Sequence, residues 1–195
     1  EIPDVAVLRL LAETALGEDN LASARRRLDQ LIEQEPGDPQ ALEYLEAIET
    51  RSQDLQREMG ELKKSVDQSA GDDQALALQE LARSAFMLDR DSTEGADALL
   101  RAIRDHGLRD AELMSLLAEN LWRRKHFKDL EEVLKTLIEA LGSPKATSDE
   151  ATLLLSSHKQ LVRLYRDTFE RPDEASAQIE IALAIDPLDA ELMEM

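Results

Sequence analysis

Apolar residues recur along this chain at the three-and-four spacing of a helix face, in paired short runs separated by turns. Leu8, Leu11, Ala12 and Ala15 form a first face, which breaks at Gly17-Glu18-Asp19-Asn20, where Asn20 is placed to cap the next helix. Leu21, Ala24, Leu28, Leu31 and Ile32 form a second face, and Pro36-Gly37-Asp38-Pro39 stops it. The pattern predicts a helical hairpin over residues 5–38. Similar hairpins are predicted over 75–110 (Leu78, Leu81, Ala82 and Ala85, then Ala96, Leu100 and Ile103) and over 111–144 (Met114, Leu117, Ala118 and Leu121, then Leu130, Leu134 and Leu137, closed by Gly142 and Pro144). Another spans 155–187, with Leu161, Val162 and Tyr165, then Ala175, Ile179 and Ala182, ending at Asp186-Pro187. Residues 188–195 read as the start of a further helix.

The stretch 39–74 breaks the pattern, because no glycine or proline marks a turn near Thr50-Arg51-Ser52. Leu45, Ile48, Ser52, Leu55, Met59, Leu62 and Val66 instead follow a 3.5-residue period, which favours one long helix over about 40–68. Two uses of that stripe stand side by side. It packs inside the array as a degenerate repeat, or it protrudes and pairs with a partner or a second copy through Leu45, Ile48, Leu55, Met59, Leu62 and Val66.

These hairpins resemble tetratricopeptide repeats, in degenerate form. The family's period is about 34 residues, with a Leu-small pair in helix A and Ala and Pro positions in helix B. Leu8, Leu11-Ala12, Ala24, Leu28 and Pro36 meet the pattern in the first hairpin, and Leu161, Tyr165, Ala175, Ile179, Ala182 and Pro187 meet it in the last. No copy has Trp at the first position or Gly at the small one. The resemblance implies an all-α, right-handed superhelical solenoid of antiparallel hairpins, a single array over 1–195, in which each hairpin buries its apolar face against its neighbours.

Composition sharpens this picture. Of 195 residues 43% are hydrophobic but only 3% aromatic, so the core must be aliphatic. Forty-two acidic against twenty-three basic residues give a net charge of −19, which repels nucleic acid and anionic lipid surfaces. There is no cysteine, hence no disulfide and no thiolate chemistry, and no run approaches the ~18 apolar residues of a membrane span. The expectation is a soluble chain with no membrane insertion, cytoplasmic if anywhere. It opens Glu1-Ile2-Pro3 without an initiator methionine and stops at Met195 inside a new helix, which suggests a piece of something longer.

No catalytic, cofactor or metal site is expected. His106, His126 and His158 stand at spacings that match no metal motif. Asp89 to Gly95 resembles a calcium loop, but Glu94 stands where the loop needs glycine and Leu100 where it needs the bidentate glutamate, so the segment reads as a turn capped by Ser92 or Thr93. Gly142-Ser143-Pro144-Lys145 lacks phosphate-loop spacing and reads as a helix stop, followed by a capping box at Thr147-Ser148-Asp149-Glu150. Acidic pairs such as Glu131-Glu132 read as solvated faces.

The resemblance places ligands in a concave groove lined by the A helices. Its groove-facing positions fall on Arg9, on Arg83, Phe86 and Met87, on Glu119, Trp122 and Arg123, and on Lys159, Arg163 and Arg166. In so acidic a chain this line is basic on balance, which suggests a protein partner, peptide or domain, with acidic segments held by Arg forks and anchored on Trp122 and Phe86. The opposing reading makes the rings core and pairs the arginines with Glu. Chaperone-tail binding is disfavoured, because Ala6 and Leu10 occupy two positions of the family's carboxylate clamp. The functional expectation is a non-catalytic scaffold or adaptor. An oligomerisation module using 42–66 and a regulatory domain of a larger enzyme are the alternatives.

Overall fold

The computed structural model describes residues 4–142 and 148–194, and every regular element among them is helical. The stop expected at Pro144 and the cap expected at Thr147 lie outside the described residues. Where the sequence suggests one array, the chain gathers into two compact units, residues 1–108 and residues 109–195.

The first unit holds α1 (Val5–Gly17), α2 (Leu21–Gln34), α3 (Pro39–Gln68), α4 (Asp72–Leu88) and α5 (Thr93–His106). Side-chain caps start three of them: Asn20 accepts from the Ser23 amide at 3.1 Å, Asp38 from Ala41 at 2.9 Å, and Ser92 from Gly95 at 3.1 Å. Gly107, left-handed at φ 66°, ends α5. α1 and α2 form one hairpin, α4 and α5 another, and α3 packs against both α2 and α4. Ala41, Ile48 and Leu55 of α3 join Leu8, Ala12, Leu28 and Leu31 in one core cluster, while Met59 and Val66 are buried further along the same helix.

The stripe on α3 is therefore used inside the chain. Ile48, Leu55, Met59 and Val66 are 2%, 1%, 7% and 4% exposed, and Leu45 and Leu62 are half-buried. That overturns the reading of these six residues as a face for pairing with a partner or a second copy. Over so few turns a 3.5-residue period is hard to tell from the 3.6 of a helix buried along one side, and here α2 and α4 pack against α3.

The second unit holds α6 (Ala111–Arg123), α7 (Phe127–Leu141), α8 (Ser148–Asp167), α9 (Pro172–Ile185) and the short α10 (Ala190–Glu194). Leu113, Met114, Leu117, Leu121, Val133, Leu134, Leu137, Leu161 and Val162 are at most 1% exposed, an aliphatic core as the composition requires. One chain reversal recurs across both units. Asp19, Lys125 and Glu170 sit at φ 51°, 60° and 53°, each just before the residue that caps the following helix. The next amides, of Asn20, His126 and Arg171, bond to the carbonyls of Ala15, Leu121 and Tyr165 at 2.8, 2.9 and 2.8 Å. A non-glycine residue in this region costs roughly 1–2 kcal/mol, so three hairpins accept the same local strain; the turns at Asp19 and Lys125 share one bond pattern, and the turn at Glu170 is one residue longer.

Candidate functional site

In the second unit, the buried face of α6 leaves Glu119, Trp122 and Arg123 on its outer side at i, i+3 and i+4. α8 brings Gln160 and Arg163 to the same place, and the five side chains line a cavity of about 240 Å3. Trp122, the only tryptophan, is 36% exposed there and rests edge-on against Phe127, with ring centroids 6.1 Å apart at 75°. Gln160 and Arg163 also line a second cavity of about 300 Å3 with Thr152, Leu155, Lys159 and Glu191. The two hollows adjoin at Gln160 and Arg163 on α8 and are called the trough below.

Its charges are engaged within the chain. Lys159 Nζ lies 2.5 Å from Asp189 and 3.0 Å from Glu191, Arg163 pairs with Glu191, and Arg123 stands 3.8 Å from Glu119. The hydrogen bond to Asp189, with help from Glu191, raises the Lys159 ammonium above the ordinary lysine value. Bonds from Lys159 and from the Leu192 amide hold Asp189 below the usual carboxylate range, and bonds from Lys159 and Arg163 do the same to Glu191. Asp189 is also the cap of α10, accepting from Leu192 at 3.1 Å. The first unit repeats this clasp: Arg9 pairs with Asp38, whose other oxygen caps α3.

The basic line expected from the sequence is thus largely neutralised. Arg9 is held by Asp38, Arg83 lies 3.9 Å from Glu80, and Arg166 bonds Asp167 at 2.7 Å. Phe86, expected as an anchor for a ligand, is 1% exposed and belongs to the core, because Gly95 of α5 lets its ring close against the hairpin. Met87 packs half-buried against the α1–α3 core. Glu119, Trp122, Arg123, Lys159 and Arg163 come together around the trough. Sequence reasoning missed Gln160, Asp189 and Glu191. One signal could have found the acid: Pro36-Gly37-Asp38 and Pro187-Leu188-Asp189 place it two residues after proline in both copies.

Glu131 also departs from its expected solvated role. It accepts from Lys135 at 2.6 Å and from the Tyr165 hydroxyl at 3.1 Å, with Arg171 at 3.5 Å. Burial pushes its pKa up, but these donors outweigh burial and leave the carboxyl below its ordinary value. The network ties α7, α8 and the start of α9 together around Tyr165, which is 2% exposed. His158, 5% exposed, meets Gln178 at 2.7 Å. No group of three or more His, Cys, Asp or Glu side chains among the described residues is gathered to hold a metal ion, and no helix there is long and apolar enough to cross a membrane.

A larger cavity, about 550 Å3, lies in the first unit among α3, α4 and α5. It carries no aromatic side chain, and the Lys63–Glu94 pair at 2.6 Å lies on its rim. Compared with models of known protein families and with curated proteins, the sequence matches none. The site is therefore read on its own chemistry.

Proposed function

We propose that this chain is a non-catalytic protein-interaction module, built of tetratricopeptide-like hairpins, that binds an extended segment of a partner protein along the trough between α6 and α8. The observation that carries this reading is the partly exposed Trp122 standing over a cavity that also presents Arg123, Arg163 and Gln160. Trp and Arg are the side chains most enriched where binding energy concentrates. The two adjoining hollows share Gln160 and Arg163, which offers successive side chains of an extended peptide neighbouring places to sit. Because Glu119 and Glu191 already pair with the arginines, a partner carboxylate has to compete for them. Selectivity then rests on the apolar residue seated by Trp122, with charge in second place.

The test uses Trp122 as its own reporter. Peptides selected from a random display library against the full chain are titrated while tryptophan emission is followed. The expected binders carry a bulky apolar residue and shift the emission, and Arg123→Glu weakens them at least about tenfold without changing the melting temperature. Trp122→Ala, followed by peptide anisotropy, does the same. Binders indifferent to both substitutions would remove the trough from consideration.

A further inference from the structure

α4 and α8 share one register. Leu78, Ala82 and Ala85 keep the spacing of His158, Val162 and Tyr165, all six are buried, and each helix packs against the one before and the one after it, α4 against α3 and α5, α8 against α7 and α9. In the second unit the last of these positions holds a phenol ring. Tyr165 is buried, its hydroxyl donates to Glu131 at 3.1 Å, and Lys135, paired with Glu131 at 2.6 Å, stands 5.9 Å from the ring centroid. In the first unit the same position is Ala85, and a hollow of about 380 Å3 lies there between α3 and the α4–α5 hairpin. Met59, Ala85 and Leu88 line it with carbon and sulfur, and beside them Lys63 of α3 pairs with Glu94 of α5, again at 2.6 Å. The ring is missing from this hollow, but an ammonium and a carboxylate stand at its edge as they do around Tyr165. Two other polar side chains of the lining are used locally: Asp89 accepts from the Asp91 amide, and Ser92 caps α5.

We propose that the hollow beside Ala85 binds a small neutral phenol, with the ring standing where α8 carries Tyr165 and the hydroxyl set between Lys63 and Glu94. A phenol hydroxyl both accepts and donates, so it can take a bond from the Lys63 ammonium and give one to the Glu94 carboxylate. That ion pair is about half exposed on both sides, so its own attraction is weak and a hydroxyl can enter it at little cost. The Met59 sulfur and the Lys63 charge both favour an aromatic ring over an aliphatic one. The lining carries charges of both signs, Lys63 against Glu94 and Asp89, so a neutral ligand avoids the like-charge contact that any ion would meet. The hollow falls in the roughly 300–1,000 Å3 range of small-ligand sites, and the larger cavity described above shares Lys63 and Glu94 with it, which leaves room for substituents on the ring. Every lining residue of the hollow comes from 56–94, within α3 to α5, and the site does not depend on the trough at Trp122.

The probe is p-cresol, with toluene as the same ring without its hydroxyl. Each is titrated into the 195-residue chain while the methionine methyl resonances are followed by NMR, the Met59 signal being assigned from Met59→Leu. p-Cresol is expected to shift the Met59 methyl and to saturate, and toluene to bind at least about tenfold more weakly. Glu94→Gln, at a partly exposed side chain, should keep the melting temperature and weaken p-cresol at least about fivefold while leaving toluene unchanged. Ala85→Tyr should place the chain's own ring in the hollow and abolish the response; if that variant fails to fold, Glu94→Gln and the toluene comparison still decide. A Met59 methyl that does not move, or equal binding of p-cresol and toluene, overturns the proposal. So does a tyrosine-bearing peptide that moves the Met59 methyl where p-cresol does not, by giving the hollow to a protein.

Discussion

Gly60 and Gly95 are both helical glycines, and the space around them sets opposite expectations for alanine. A Cβ at Gly60, in the middle of α3, meets nothing within 4 Å, so Gly60→Ala should stabilise the chain by about 1 kcal/mol through helix propensity alone. A Cβ at Gly95 would stand 3.1 Å from the Ala85 Cβ and from Cδ1 and Cε1 of Phe86. Phe86 is 1% exposed and has nowhere to retreat, so overpacking of about 1–3 kcal/mol should exceed the propensity gain. Denaturant midpoints check both signs, and a stabilised Gly95→Ala would mean that the α4–α5 contact is looser than described. The same contact explains a limit of sequence reading. Phe86 and Trp122 occupy one repeat position, yet Phe86 faces a glycine across its hairpin and sinks, while Trp122 meets Phe127 and stays partly out. Neither outcome is written in the local sequence of α4 or α6. The cationic positions misled for a related reason: Asp38 and Asp189 stand 29 and 30 residues from Arg9 and Lys159, beyond any local pattern.

At the scale of elements, helix content and hairpin boundaries were legible because glycine, proline and cap residues punctuate an aliphatic period, as at Asn20 and Ser92. The turns at Lys125 and Glu170 carry no such glycine and are set by the packing of their hairpins. α3 is the element whose identity matters most. Its 30 residues span about 45 Å, enough for its first half to complete the α1–α2 core and its second half to cover α4. Arg51→Pro tests that continuity. In an unbroken helix it should cost about 3 kcal/mol or more, because the ring removes one backbone hydrogen bond and clashes with the preceding turn. Arg51 is exposed, so no side-chain packing confuses the result. A variant that melts like the parent would mean that the chain turns near Thr50–Ser52, and α3 would have to be redrawn as a hairpin.

For the whole molecule, the acidic balance and the paired carboxylates act in opposite directions as pH falls. Asp38, lowered by the Ala41 amide and by Arg9, joins Glu131, Asp189 and Glu191 below the ordinary carboxylate range. A depressed folded-state pKa contributes stability that is complete above the unfolded value, about pH 4, and is lost as pH falls through the folded value. Lys135 and Lys159 are raised, so their share is complete below about pH 10.4 and is lost above it. Self-repulsion from the −19 charge runs the other way on the acid side, easing as surface acids protonate toward the isoelectric point near 4.5. The melting temperature should therefore rise modestly from pH 7 toward pH 5 and fall steeply below about pH 4. Asp38→Asn with Asp189→Asn separates the two effects, because asparagine still caps a helix but cannot hold the charge pair. The double variant should melt below the parent at pH 7, and the two curves should draw together as pH falls through the lowered folded-state values of Asp38 and Asp189 and the parent's carboxylates become neutral as well. Curves that stay parallel across the whole range would show that the clasps at Arg9 and Lys159 contribute nothing through charge, leaving capping as their role.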